Sequence, residues 1–323
     1  MMNHLSPNCF LFLDFFHQII SILMLKKVLI GLVVLGLISV FGFKSYVNSG
    51  VQLPPDSEEI IAKVLAENDI PEFVKGETGF ADNDGVRIWY EKISEVENPK
   101  ATVLLVMGHS APALIWTPTF YQALVDSGYQ VIRYDNRGLG ESDWMENWDK
   151  NNPYTLEDMA KDGMAILDAA GVEKAHIIGA SMGGMIAQRM AISHSERVLS
   201  LTSIMSSGYM YDPEIDPVPE KTMSDFTKLV LNYLVFNPDD ANRLRFAMCI
   251  PEGLKGSGDY TNDNEKICQR TLYQLRNRKG FNPVVGDQHT AAIMASGSRY
   301  DELGSISMPT LIIHGKSDPL VIF

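Results

Sequence analysis

A serine lies between two glycines in the pentapeptide GASMG at residues 179–183, a spacing that suits nucleophilic catalysis. The pentapeptide directly follows an apolar run with the composition of a buried strand, and a helical segment begins at Met182. A serine on such a strand–turn–helix connection projects its hydroxyl from a strained turn, which closes only when the flanking positions are small. The N-terminus of the following helix adds partial positive charge beside that hydroxyl. The pattern predicts Ser181 as a nucleophile; the alternative is a glycine-rich turn in which the serine is incidental.

Short apolar runs alternate with helical segments on both sides of Ser181. The runs are rich in β-branched residues, as in parallel strands that are buried on both faces. Strands that alternate with helices of this length predict a doubly wound, mostly parallel sheet of the α/β class. The sequence Asn-Asp-Gly at 83–85 predicts a hairpin turn before the first of these strands. The predicted strands cover 86–90, 101–106, 131–134, 175–178, 199–205 and 310–314, and the predicted helices between them cover 117–127, 155–170 and 182–193.

The alternation stops between Ser206 and about Tyr300. This segment has helical patterns at 224–236, 239–248 and 264–277, separated by glycine-rich breaks. We expect a helical insertion over the carboxyl edge of the sheet, where ligands bind in open α/β folds. Its aromatic and methionine side chains either line an apolar acyl pocket or pack between helices, so they do not identify a substrate.

Residues 106–143 (VMGHSAPALIWTPTFYQALVDSGYQVIRYDNRGLGESD) carry a resemblance to a known family. Together with the pentapeptide they resemble the α/β-hydrolase superfamily from about Gly79 to Phe323, and are most like serine esterases of the aclacinomycin methylesterase type. The resemblance implies that the backbone amides of His109 and Met182 form the oxyanion hole. It also implies that Asp135-x-Arg137-Gly138-x-Gly140-x-Ser142 is a structural turn, fixed by Asp–Arg hydrogen bonds and glycines.

The same resemblance places the catalytic acid at Asp318, in the segment PTLIIHGKSDP. The order of the triad in this fold is serine, acid, histidine, and only residues 319–323 follow the acid. We therefore expect the last strand and helix of the fold to be missing, the catalytic histidine to lie beyond Phe323, and the printed chain to be nearly inactive. Among the seven histidines, His289 alone offers a remote substitute.

The sequence thus predicts a hydrolase of carboxylic esters or related acyl compounds, which acts on a small molecule without a metal or organic cofactor. The alternative is a non-catalytic ligand-binding protein on the same scaffold. A third interpretation, a membrane-tethered structural module, has only the N-terminus in its favour. The substrate and the oligomeric state stay open.

An apolar run at 28–43 follows Lys26-Lys27 and precedes Lys44. It has no polar face at helical spacing, which favours an export signal or membrane anchor over a buried core helix. We expect an uncleaved anchor with the catalytic domain outside the cytoplasm, on the periplasmic or extracellular face. The start of translation is either Met1 or Met24. Residues 1–44 form this targeting segment, 45–78 a tether and leading helix, 79–205 the first part of the core, 206–300 the cap and 301–323 the second part of the core.

The net charge of −13 disfavours nucleic acid as a partner, because an acidic surface repels phosphate backbones. The three cysteines match no zinc pattern. Cys249 and Cys268 are either free thiols, which we favour, or a disulfide formed in an oxidising compartment.

Overall fold

A seven-stranded sheet forms the core of the computed structural model, which describes residues 42–93, 97–236, 238–257 and 260–322. The strand order is β1-β2-β4-β3-β5-β6-β7. The pairs β1–β2 and β2–β4 are antiparallel, and all other pairs are parallel, so the predicted mostly parallel sheet is confirmed. The strands are β1 Glu77–Asn83, β2 Val86–Lys92, β3 Thr102–Val106, β4 Gln130–Tyr134, β5 Ala175–Ala180, β6 Val198–Ile204 and β7 Thr310–Ile313.

Local sequence explains one end of this order and its middle. Asp84 and Gly85 connect β1 to β2 with φ of 52° and 85°, the left-handed values that a two-residue hairpin turn requires. In the middle of the sheet, every residue of β3 and β4 is buried, which accounts for their largely apolar sequences, and the buried Arg133 of β4 binds Glu91 of β2.

Helices cover both faces of the sheet. Leu104 and Ile132 point to a cluster with the helices at 156–169 and 182–193, whereas their neighbours Val103 and Val131 pack with Tyr121 of the helix at 118–126 on the opposite face. The α-helices are α1 Ser57–Leu65, α2 Pro118–Asp126, α3 Leu156–Ala169, α4 Met182–Ser193, α5 Glu220–Leu229, α6 Asp240–Leu254, α7 Asn264–Asn277, α8 Val285–Ser296 and α9 Tyr300–Leu303; a π-helix, Val230–Val235, continues α5.

The cap consists of α5 to α8 and shares its core with the N-terminal helix. Ile61 and Val64 of α1 pack with Leu244 and Met248 of α6 and with Leu272 of α7. Ion pairs surround this cluster, with Arg245 bound to Glu58 at 2.6 Å and Lys63 bound to Glu265 at 2.6 Å. The leading helix and the cap therefore form one packed unit.

The edge strand β7 is exposed along its whole length. Its side chains Leu311, Ile312 and Ile313 are apolar, and Ile312 is 70% exposed. Successive side chains of a strand point to opposite faces, so both faces of β7 lack cover in this structure.

Cys249 and Cys268 are buried free thiols, as we favoured. The apolar run at 28–43 lies outside the described residues except for its last two positions. Among the helices that the structure does describe, none combines the length and apolar character needed to cross a bilayer.

Candidate active site

Ser181 occupies the turn between β5 and α4 with φ 55° and ψ −126°. This left-handed conformation is strained for a residue with a side chain. The turn is tight because a Cβ on Gly179 would overlap the carbonyl oxygen of Gly183, and a Cβ on Gly183 would overlap that of Val106. The structure therefore has the strand–turn–helix connection that the pentapeptide predicts.

The loop after β3 lies directly against Ser181. A Cβ on Gly108 would lie 3.5 Å from the Oγ of Ser181 and 3.0 Å from its Cβ. The next residue is His109, and Met182 follows Ser181 at the start of α4. Within the described ranges, no hydrogen bond engages the backbone N–H of His109 or of Met182. Their role as oxyanion donors stays a prediction.

Helix α8 of the cap holds this loop through two histidines. The Nε2 of His109 lies 3.0 Å from both the carbonyl oxygen of Gly286 and the Oγ1 of Thr290. The fully buried His289 accepts a hydrogen bond from the backbone N–H of Ser110 through Nδ1, at 3.1 Å. The position of the loop beside Ser181 is therefore coupled to the cap.

His289 is a neutral side chain with both ring nitrogens engaged. Its Nε2–H donates to the carbonyl oxygen of Arg137 at 3.0 Å, which fixes the tautomer that leaves Nδ1 as an acceptor. Burial lowers the pKa of His289 to about 3. It is therefore unsuited to the proton-shuttle role that the sequence left open for it.

Asp318 lies in the loop after β7. Its Oδ1 accepts the backbone N–H groups of Leu320 and Val321, both at 2.9 Å. Its Oδ2 faces the Nε2 of His314 at 3.8 Å, and that nitrogen donates to the carbonyl oxygen of Val321 at 2.7 Å. The carboxylate is thus fixed mainly through one oxygen.

Strand register brings Ser181 and the Asp318 loop to the same edge of the sheet. Ala180 pairs with Ile204, and Ile204 pairs with Ile313, so β5, β6 and β7 end side by side. The strand β6 lies between the ends of β5 and β7, so these two strand ends are roughly 10 Å apart. No hydrogen bond within the described residues joins Ser181 to Asp318 or to a histidine.

The turn at 135–142 is structural, but its acidic and basic residues do not pair with each other as the expected Asp–Arg contact suggests. Arg137 binds the buried Asp162 of α3 at 2.6 Å. Asp135 instead accepts from Arg278, which follows α7, at 2.7 Å. A Cβ on Gly140 would overlap the Asp135 carboxylate, which explains the glycine. The turn therefore connects the core to both α3 and the cap.

A cavity of about 490 Å³ lies between the tether, α5 and the loop after β7. Its wall includes Gln52, Asp225, Glu252 and Pro319, but not Ser181. In the described part of the chain, no cluster of three His, Cys, Asp or Glu side chains is arranged to hold a metal ion.

The sequence profile of the family described as "alpha/beta hydrolase fold" matches residues 101–322. The chain belongs to this family. Rhodomycin D methylesterase DnrP of Streptomyces peucetius is 27% identical over 259 residues, which cover 75% of this chain and 83% of that protein. The 3-oxoadipate enol-lactonase 1 of Acinetobacter baylyi is 30% identical over 211 residues, which cover 64% and 67%.

Two solved structures show the same fold. A probable hydrolytic enzyme from Pseudomonas aeruginosa superposes with a TM-score of 0.57 at 23% identity, covering 75% of this chain and 74% of that one. A membrane phospholipase A described as a bacterial virulence factor superposes with a TM-score of 0.53 at 21% identity, covering 92% and 84%. The family profile and the methylesterase relative confirm the resemblance to α/β-hydrolase esterases. The protein is a hydrolase related to enzymes named for ester and lactone substrates.

Proposed function

We propose that this protein hydrolyses carboxylic esters or related acyl compounds with Ser181 as the nucleophile. The observation that carries the proposal is the strained φ of Ser181, in a turn that packs against the loop after β3. Such strain costs of order 1–3 kcal/mol and is retained where it serves a function. The strain projects the Ser181 hydroxyl from the turn beside the loop after β3, which favours a nucleophile over the non-catalytic alternative.

The proposed reaction follows from the groups around Ser181. Its Oγ attacks the carbonyl carbon of the ester, and the unpartnered amides of His109 and Met182 donate to the oxyanion that forms. The alcohol leaves, and water then releases the acyl group from Ser181. Asp318 orients the histidine that carries the protons, through the oxygen that the loop leaves less engaged.

We propose that this histidine belongs to a segment that follows residue 323. Two described histidines lie in or against the loop after β3, and both are engaged: His109 contacts Gly286 of α8, and His289 donates to the carbonyl oxygen of Arg137. The bare faces of β7 also favour a further strand and helix, because exposed apolar edge strands promote aggregation. The ends of β5 and β7 are separated by one strand, so the Ser181 turn and the Asp318 loop leave the same edge of the sheet, where an imidazole has to enter.

The relatives favour an ester or lactone bond as the target. Methylesterases and enol-lactonases both cleave the acyl C–O bond, and the proposed mechanism handles both. We further propose that the run at 28–43 anchors the protein in a membrane with the catalytic domain outside the cytoplasm. The absence of a polar face in the run supports the anchor. The paired lysines before the run support this orientation.

The test compares three proteins on a short-chain p-nitrophenyl ester: the product of the reading frame extended past codon 323, the same product with Ser181→Ala, and residues 1–323 alone. We expect the extended protein to turn over and the Ser181→Ala variant to lose at least about 10³-fold of kcat. We expect residues 1–323 to be similarly slow. Turnover by residues 1–323 that depends on Ser181 would place the base within them, and an extended protein that binds but does not hydrolyse esters would favour the ligand-binding alternative.

A further inference from the structure

Four large apolar side chains form an exposed surface where the N-terminal segment meets the cap. We call this surface, made of Phe43, Tyr46, Val235 and Phe236, the interfacial patch. Each of the four is between 44% and 55% exposed. Two lie where the apolar run meets the tether, and two lie at the end of the π-helix and just after it, almost 200 residues later. Clustered exposure of this kind marks an interaction surface.

Direct contacts hold the two halves of the patch together. The rings of Phe43 and Phe236 meet edge to face with centroids 5.3 Å apart. The Nζ of Lys228 lies 5.0 Å from the ring centroid of Tyr46. These contacts join the N-terminal segment to the end of the cap helix, and Val235 adjoins Phe236 in sequence.

Contacts beyond the patch keep the N-terminal segment against the cap. The side chain of Asn232 donates to that of Asn48 at 3.1 Å. At Gly50, a Cβ would lie 3.3 Å from the Cβ of Lys228, so the chain runs close along α5. Further on, α1 packs into the core of the cap. The orientation of the cap is thus tied to the residues around position 43.

The patch begins where the apolar run ends. Phe43 is the last residue of the run at 28–43, and Tyr46 lies less than one helical turn further, about 5 Å along the axis. In the proposed anchored protein, both residues fall at the level of the lipid headgroups. Tyrosine and tryptophan concentrate at this level because their rings combine an apolar body with a polar tip. Apolar faces of amphipathic helices enter the same region by about 5–10 Å.

We infer that the interfacial patch inserts into the lipid bilayer, so that the cap rests on the membrane surface. The inference depends on the membrane anchor proposed above and goes beyond it, because an anchor on a free tether would leave the cap in water. Lipid is favoured over a second copy of the chain, because Phe43 continues the apolar run and the patch continues Phe43 onto the cap.

Depth-dependent fluorescence quenching tests the inference on the full chain. A Cys9→Ser background removes the N-terminal thiol. Cys249 and Cys268 are buried, and their thiol pKa is raised to about 12, so they resist labelling. Single variants Phe236→Cys and Val235→Cys then carry an environment-sensitive probe on the patch. The matched control is Phe80→Cys, since Phe80 of β1 is an aromatic residue that is 47% exposed and lies at the far edge of the sheet.

The labelled proteins are reconstituted into vesicles of phosphatidylcholine and phosphatidylglycerol that carry doxyl groups near the headgroup. Vesicle flotation first checks the anchor. We expect flotation of all variants, and quenching at 235 and 236 about threefold or more above that at 80.

Flotation with equally weak quenching at 80, 235 and 236 would overturn the inference and leave the anchor standing. Weak lipid quenching with a blue-shifted probe at 236 and cross-linking between chains would also overturn it, in favour of a second copy. Absence of flotation would overturn both the anchor and the docked cap, without bearing on ester hydrolysis.

Discussion

The backbone N–H of Ser110 donates a hydrogen bond to the Nδ1 of His289, a fully buried side chain of the cap helix α8. Ser110 is two residues from Gly108, where an added Cβ would lie 3.0 Å from the Cβ of Ser181, the proposed nucleophile. The same imidazole donates to the carbonyl oxygen of Arg137 in the structural turn at 135–142. His289 of the cap therefore connects the loop beside Ser181 to the turn at 135–142 in the core.

Replacing His289 is expected to impair catalysis through the position of this loop. His289→Ala leaves the N–H of Ser110 and the carbonyl of Arg137 without partners, and should lower kcat about 10- to 100-fold with little change in KM. His289→Asn should recover part of kcat, because the side-chain oxygen of asparagine can take the place of Nδ1. Steady-state kinetics of the protein on a p-nitrophenyl ester measure both effects. The control Met294→Ala changes an exposed residue of the same helix, and an equal loss of kcat there would contradict the specific role of His289.

The buried state of His289 also predicts a pH dependence of stability. Its pKa is about 3 in the folded protein, whereas an unfolded histidine has a pKa near 6.5. Between these values the unfolded chain binds the extra proton, so folding stability falls as the pH falls from about 6.5 towards 3, by up to about 1.4 kcal/mol per pH unit. Above about 6.5 the contribution is constant. Urea unfolding at pH 7, 6 and 5 gives the free energy of unfolding at each pH. This free energy should fall less steeply with decreasing pH for His289→Asn than for the parent, and an identical pH dependence would argue against the low pKa.

The glycines around Ser181 are expected to tolerate no side chain. Because a Cβ on Gly183 would overlap the carbonyl oxygen of Val106, Gly183→Ala should cost more than about 3 kcal/mol of stability or prevent folding. Gly304→Ala is the control, since no heavy atom lies within 4 Å of its added Cβ. Thermal unfolding compares the two variants. A Gly183→Ala protein as stable as the control would contradict the tight packing of α4 under β3.

The ion pair between Arg137 and Asp162 is expected to contribute more than surface pairs. Both side chains are buried, and removal of one partner leaves an unpaired buried charge. Asp162→Ala should therefore cost about 3–5 kcal/mol. Asp168→Ala breaks the more exposed pair with Arg197 and should cost less than about 1 kcal/mol. Similar losses in urea unfolding of the two variants would show that the buried pair is not critical.

The turn that holds Ser181 and most strands could be predicted because each is specified by a short stretch of sequence. GASMG specifies its own turn, and the buried runs of β3 and β4 need no distant partner to be recognised as strands. Helix α8 escaped detection because its sequence VGDQHTAAIMAS has little apolar periodicity. It is a helix because its buried face packs into the core, which tertiary contacts decide.

The long-range partners of the site could not be predicted from the sequence. His289 meets Ser110 and Arg137, which lie more than 150 residues earlier, and its low pKa arises only from the burial that these contacts create. The acidic and basic residues of the turn at 135–142 suggested a local pair. In the folded protein Arg137 instead binds Asp162 of α3, and Asp135 binds Arg278, which follows α7. Only the folded chain brings these residues together.

Covalent labelling of the protein with a serine-directed reagent tests the central claim most directly. A fluorophosphonate reacts with a serine that an adjacent base activates and an oxyanion hole supports. Intact mass and peptide mapping should show one adduct, on Ser181. Ser181→Ala should abolish it, and Ser206→Ala, which removes a nearby hydroxyl beside Gly184, should retain it. An adduct on another serine, or ester hydrolysis that persists in Ser181→Ala, would contradict the assignment of Ser181 as the nucleophile.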